Sequence, residues 1–161
     1  MQRLSEFIKK HRDAAILAGL SCFLAGATVA WLRLDGLPPA WDDAWYLANS
    51  LEMFDALVDG GVWGFGRRFL TILGTKPPLI TILPTPLYLL LGRNPEYAFG
   101  VNLVFIPILL TSVYLLGRRC WNSRAGLIAA YVTTTMPMFY GLARWFLIEF
   151  VLTAFICVGI L

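Results

Sequence analysis

The stretch Tyr97–Gly117, YAFGVNLVFIPILLTSVYLLG, holds no Asp, Glu, Lys, Arg or His, and the basic turn Arg118-Arg119-Cys120-Trp121-Asn122-Ser123-Arg124 follows it. A helix rises about 1.5 Å per residue and needs roughly 20 residues to cross a hydrocarbon core about 30 Å thick. These 21 residues therefore predict a membrane span. Ala14–Leu32 and Ala125–Ala143 are charge-free over comparable lengths, whereas Phe150–Leu161 has only twelve residues and reads as a span cut short. Composition agrees: 58% of the 161 residues are apolar and 14% charged, against about 25% charged in soluble domains. The expected fold is all-α, a polytopic membrane helix bundle of about three full spans plus a truncated fourth. The expected spans are 14–32, 98–117, 125–143 and 149–161, with a loop over 33–97.

The stretch Pro77–Gly92 is also charge-free, but it carries Pro77, Pro78, Pro84 and Pro86. Proline removes a backbone donor and clashes with the preceding turn, so this piece is expected to be short and broken. Charge placement decides whether it crosses, because Lys and Arg accumulate in short cytoplasmic loops. If it does not cross, Arg3, Lys9, Lys10, Arg12, Arg118, Arg119 and Arg124 share one face with only Glu6 and Asp13, a balance of +5. The other face then holds six basic and eight acidic groups, a balance of −2. If it crosses, the basic turn changes sides and the bias disappears. The first arrangement places the N-terminus in the cytoplasm and 33–97 outside, in what reads as the cell membrane of a prokaryote. A cleaved signal peptide ending near Thr28-Val29-Ala30 competes with this reading, but its apolar run is long for such a segment.

Within the outer loop, Leu37-Pro38-Pro39-Ala40-Trp41-Asp42-Asp43 is a helix-start signal, with acids where the helix dipole favours them. Leu47, Leu51, Phe54 and Val58 then recur at helical spacing up to Gly60-Gly61. With Trp41, Trp45 and Tyr46 beside them, they predict an amphipathic juxtamembrane helix on the outer surface.

The net charge of +3 is too small and dispersed for a nucleic-acid partner. Cys22, Cys120 and Cys157 make no CxxC pair, and His11 is the single histidine, so chemistry must rest on carboxylates. Three features stand out: the acid pair Asp42-Asp43, Lys76 in Lys76-Pro77-Pro78-Leu79, and Arg144 with Glu149 where two spans meet. Taken singly, each has a plain explanation. The acids cap a helix, the lysine anchors at the interface, and Glu149 pairs with Arg144. Together they lie on one side in the favoured topology. A carboxylate can serve as general base toward an acceptor and a lysine can hold a phosphate, the two parts needed for sugar transfer from a lipid phosphate.

The order acid pair, Lys-Pro-Pro, basic turn and Arg-x4-acid resembles the N-terminal half of the GT-C membrane glycosyltransferases, in particular the protein mannosyltransferase and aminoarabinose transferase branch. Asp42-Asp43-Ala44-Trp45-Tyr46 is similar to its Asp-Glu-x-x-Tyr signature, and Lys76-Pro77-Pro78-Leu79 to its Lys-Pro-Pro-Leu. Gly117-Arg118-Arg119 through Arg124-Ala125-Gly126 is similar to its cytoplasmic turn, and Pro137, Ala143-Arg144 and Glu149 to its Pro…Ala-Arg…Asp segment. Glu149 stands where that family usually has Asp, and Trp45 where relatives often carry Arg.

The resemblance implies transfer, with inversion, from a polyprenyl-phosphate-linked sugar donor to an acceptor on the outer face; whether that acceptor is protein, lipid or glycan is left open. It assigns Asp42 or its neighbour Asp43 as base, Lys76 to the donor phosphate, and Arg144 and Glu149 to the border of the same cavity. No cofactor is required, though two adjacent acids leave a divalent cation as an alternative. Family members have many more spans, so this chain alone is expected to be inactive. The alternatives from other classes are a transporter or flippase portion, with its boundary charges lining a polar pathway, and a small structural subunit.

Overall fold

The computed structural model describes residues 2–36, 38–39, 41–74 and 76–161, with side chains from residue 11 onward. Arg3, Glu6, Lys9 and Lys10 of the basic N-terminal segment, and Leu37 and Ala40 of the expected helix start, therefore lie outside the described side chains. Every described element is helical. They are α1 (Gln2–Leu34), α2 (Trp41–Leu73), α3 (Leu79–Ile82), α4 (Thr85–Leu91), a 3₁₀ turn (Pro95–Phe99), α5 (Gly100–Cys120), α6 (Ser123–Thr135), α7 (Pro137–Leu142) and α8 (Ile148–Ile160).

Two helical segments, His11–Leu34 and Pro95–Cys120, are long and apolar enough to cross a membrane. The stretch expected as a span over 125–143 consists of α6 and α7, joined at an extended Met136 (φ −64°, ψ 126°). Pro137 explains the break, because its ring pushes the preceding residue out of the helical region. In 77–92 the backbone stays helical before Pro84, with Leu83 at φ −60°, ψ −33°, but Pro84 has no N–H to continue the ladder, and the segment divides into α3 and α4, with α4 starting directly after Pro84.

The central helix is α5, which packs against α1, α6 and α8. Its buried residues Val101, Phe105, Ile106, Leu109 and Leu110 join Leu24 of α1, Tyr46 and Leu47 of α2, Tyr88 of α4, and Phe150, Val151 and Ala154 of α8 in one apolar cluster. The α5–α6 hairpin closes backbone on backbone. A Cβ on Gly117 would lie 2.7 Å from the Gly126 Cα, and one on Gly126 would lie 2.4 Å from the Tyr114 carbonyl oxygen. At this end a buried Asp13 of α1 accepts hydrogen bonds from Tyr114 Oη (3.0 Å) and from Ser123 Oγ, tying α1 to the hairpin.

At the other end of α5, α2 is a bent pair of helical arms. Gly61 adopts φ 58°, ψ −155°, a conformation open essentially to glycine alone, and the second arm folds back along the first. The arms approach closely enough that a Cβ on Gly64 would meet the Ala56 carbonyl oxygen at 2.3 Å. Arg68 locks them by donating to Asn49 Oδ1 at 2.8 Å and pairing with Glu52. The bend falls where the sequence predicts a helix end, but the chain continues as a helix instead of entering a loop. The buried stripe of the first arm is Tyr46, Leu47, Asn49, Ser50 and Met53, while Val58, expected on the apolar face, is 59% exposed. Ser50 takes an inside position because its hydroxyl meets the Tyr88 hydroxyl at 2.8 Å.

Candidate functional site

The return of the second α2 arm carries the chain back toward the start of the first, and Lys76 comes to rest beside Asp42. The Lys76 ammonium forms an ion pair with the Asp42 carboxylate across 34 residues of sequence. It also lies 5.1 Å from the centroid of the Trp45 ring and 5.4 Å from that of Tyr46, within cation–π range. Those rings sit edge to face at 5.2 Å, so a cation, a carboxylate and two aromatic groups occupy one corner. Trp41, directly before the acids, takes a left-handed φ of 51°, a strained entry for a bulky residue.

Asp43, next to Asp42, has a different partner. Its Oδ1 accepts a hydrogen bond from the backbone N–H of Phe146 at 3.0 Å, which links the start of α2 to the connection between α7 and α8. Burial pushes the Asp43 carboxyl above its ordinary range, and the Phe146 N–H opposes that by favouring the charged form. Asp42 is the more open of the two, with a side chain 63% exposed.

The Arg144–Glu149 region divides. Glu149 lies exposed in the first turn of α8 and shares the electrostatic surroundings of Tyr46 with Asp42 and Lys76. Burial raises the Tyr46 phenol, and the nearby Lys76 partly offsets this. The Arg144 guanidinium lies 3.7 Å from the ring centroid of Tyr140 and 4.5 Å from that of Trp31, and its Nε is buried without a hydrogen-bond partner. The expected boundary pair between Arg144 and Glu149 does not form. Among the described residues the ion pairs are Arg12–Asp13, Arg68–Glu52, Lys76–Asp42 and Arg93–Asp55. Stacking on two aromatic faces gives Arg144 a favourable place without a carboxylate.

Two contributors have no counterpart in the sequence reading. Phe146 acts through its main chain, which carries no residue-type signal. Asn102 sits at zero exposure in the first turn of α5 and donates to the Ala143 carbonyl at 3.2 Å and the Trp145 carbonyl at 2.8 Å. An asparagine in an otherwise apolar span was the available signal, since such a group is costly in a membrane without partners. Among the described residues, no group of three or more His, Cys, Asp or Glu side chains is placed to hold a metal ion.

No protein-family model, curated protein or solved structure matches this chain.

Proposed function

We propose that this chain forms part of a membrane glycosyltransferase of the GT-C kind, moving a sugar from a polyprenyl-phosphate donor to an acceptor on the outer face. The observation that carries the reading is the meeting of Asp42 with Lys76, with Asp43 next to Asp42 and Glu149 acting on the neighbouring Tyr46. The reaction needs a base for the acceptor and a cation for the leaving phosphate. The acceptor's nucleophilic atom forms a bond to the anomeric carbon from the face opposite the phosphate. The carbon–oxygen bond to phosphate breaks, its electron pair leaves with the phosphate, and the acceptor proton passes to an aspartate.

In this reading the donor phosphate competes with Asp42 for Lys76. Arrival of the phosphate draws the ammonium away and leaves the Asp42 carboxylate open to the acceptor. The Trp45 and Tyr46 rings hold the ammonium near both positions. Arg144 and Glu149 border the same outer space. The orientation, with 118–124 cytoplasmic, belongs to this proposal.

The test is sugar transfer in membranes carrying the whole enzyme of which this chain is proposed to form part, supplied with a polyprenyl-phosphate sugar. Asp42→Asn is expected to lower transfer by about 10²–10⁴-fold, the usual contribution of a general base, while membrane insertion is unchanged. Near-normal transfer by that variant removes Asp42 from the mechanism. Orientation is tested separately through Cys120, which is exposed. In intact cells, with Cys22 and Cys157 changed to Ser, a membrane-impermeant maleimide should leave Cys120 unlabelled until the cells are opened. Labelling beforehand reverses the assigned sides.

A further inference from the structure

The connection between α7 and α8, residues 143–147, is not helical; the N–H groups of Ala143, Arg144 and Trp145 reach back to α7 carbonyls, but its own carbonyls need partners from elsewhere. Asn102 supplies two of them from within α5. Its Nδ2 donates to the carbonyls of Ala143 and Trp145, while its own Oδ1 is buried with no hydrogen-bond partner. An asparagine at zero exposure in an apolar cluster, with its oxygen left unsatisfied, is held there for its donors.

The Trp145 carbonyl and the Phe146 N–H belong to one planar peptide group. At one end of that plane stands Asn102, at 2.8 Å, and at the other stands Asp43, at 3.0 Å. Fixing the carbonyl fixes the direction of the N–H, because the two are antiparallel in a trans peptide. Donation to the carbonyl also polarises the group and strengthens the N–H as a donor. The contact at Asp43 is therefore set from α5, 59 positions further along the sequence.

We propose that Asn102 is a positioning residue of the candidate site, orienting the Trp145–Phe146 peptide group so that its N–H holds the Asp43 carboxylate in place. The proposal gives Asp43 a defined direction. It rests on the glycosyltransferase reading only for what Asp43 then does.

The experiment follows the Asp43 carboxyl itself, by carbon-13 NMR of aspartate-labelled protein in nanodiscs, with Asp43→Asn assigning the resonance. Asn102→Leu, which keeps the branched shape and removes the donors, is expected to raise the Asp43 titration midpoint by about one pH unit, the size of one hydrogen bond to a carboxylate. Asn102→Gln, which keeps the amide, should bring it back toward the original value. Asp42, Lys76, Arg144 and Glu149 are unchanged in both variants, so their field on Asp43 stays comparable. An unmoved midpoint in folded Asn102→Leu overturns the proposal.

If Asn102→Leu does not fold, the unsubstituted protein supplies the test. The Asn102 side-chain amide protons and the Phe146 amide proton should both shift along the Asp43 titration curve, and both responses should vanish in Asp43→Asn. An Asn102 amide that keeps its position throughout overturns the proposal. If the midpoint moves as expected while the whole enzyme that contains this chain transfers no sugar, the positioning role stands and the functional reading falls.

Discussion

Asp13 and Asp43 are carboxylates that each tie distant parts of the chain, and they lie at opposite ends of the bundle built on α5. Asp13 is buried, with one oxygen taking the hydroxyls of Tyr114 and Ser123 and the other near Arg12 at 3.4 Å. Both oxygens are engaged by side chains from its surroundings. Asp43 is half-buried, takes one N–H from Phe146, and neighbours a second acid whose partner is a lysine. A carboxylate surrounded by its own donors is a clamp. One with a single fixed donor and an open neighbour keeps capacity for another group, and the two should respond to substitution in opposite ways.

The largest expected effect breaks the comparison at Asp43. Asp43→Asn is expected to lower sugar transfer by about 10²–10⁴-fold if the acid pair supplies the base. Its effect on stability should be neutral or favourable, and the sign follows from burial. The folded-state value of Asp43 is raised, so its contribution to stability is fully present below the unfolded-state value and is lost as pH rises through the raised one. At neutral pH the charged form is the disfavoured one, and the amide removes that cost. Thermal unfolding in nanodiscs at neutral pH, beside the transfer assay, checks both halves. A strongly destabilised but active variant would make Asp43 a clamp like Asp13.

Next in size is the converse change. Asp13→Leu removes the acceptor shared by Tyr114 and Ser123 and leaves two hydroxyls at the α1–α5–α6 junction without it. A buried polar group left without its partner costs about 1–3 kcal/mol. The unfolding midpoint should drop clearly, while, on the glycosyltransferase reading, the folded fraction of the whole enzyme keeps its rate of transfer. A loss of transfer at unchanged stability would show that the two ends of α5 are coupled.

The contrast also separates what the sequence discloses from what it hides. Asp42, Asp43, Lys76, Arg144 and Glu149 are conspicuous because charges are scarce in so apolar a chain, and Asp42 does meet Lys76. The end of the first α2 arm at Gly60-Gly61 is legible because it rests on glycine's backbone chemistry, whereas the break before Pro137 is hidden inside a charge-free stretch that reads as one span. The return of the second α2 arm is not, because it depends on the tertiary contacts of Arg68 and on the close approach at Gly64. Arg144 and Glu149, five residues apart, read as a pair, yet aromatic faces hold the guanidinium instead. Asp13 counts in the sequence only as one charge in an orientation tally, and its burial depends on Tyr114, 101 positions away.

The smallest effect concerns a third tie, between the first α2 arm and the turn after α4. Arg93 donates through Nε to Asp55 Oδ1 at 2.6 Å and through Nη2 to Oδ2 at 2.8 Å, a two-pronged contact on the surface. These hydrogen bonds hold the Asp55 carboxyl below its ordinary range, so its contribution to stability is present above the unfolded-state value and is lost as pH falls through the folded one. Both side chains are largely open to solvent, at 53% and 38%, so screening keeps that contribution small despite good geometry. Asp55→Asn should lower the unfolding midpoint only slightly at neutral pH and low salt. The difference should shrink with added salt and vanish once acid has protonated Asp55 in the unsubstituted protein. A difference that grows toward low pH would contradict the assigned sign. A salt-resistant difference as large as that of Asp13→Leu would mean that the pair is shielded from solvent, and that buried clamping is not confined to the α1–α5–α6 junction.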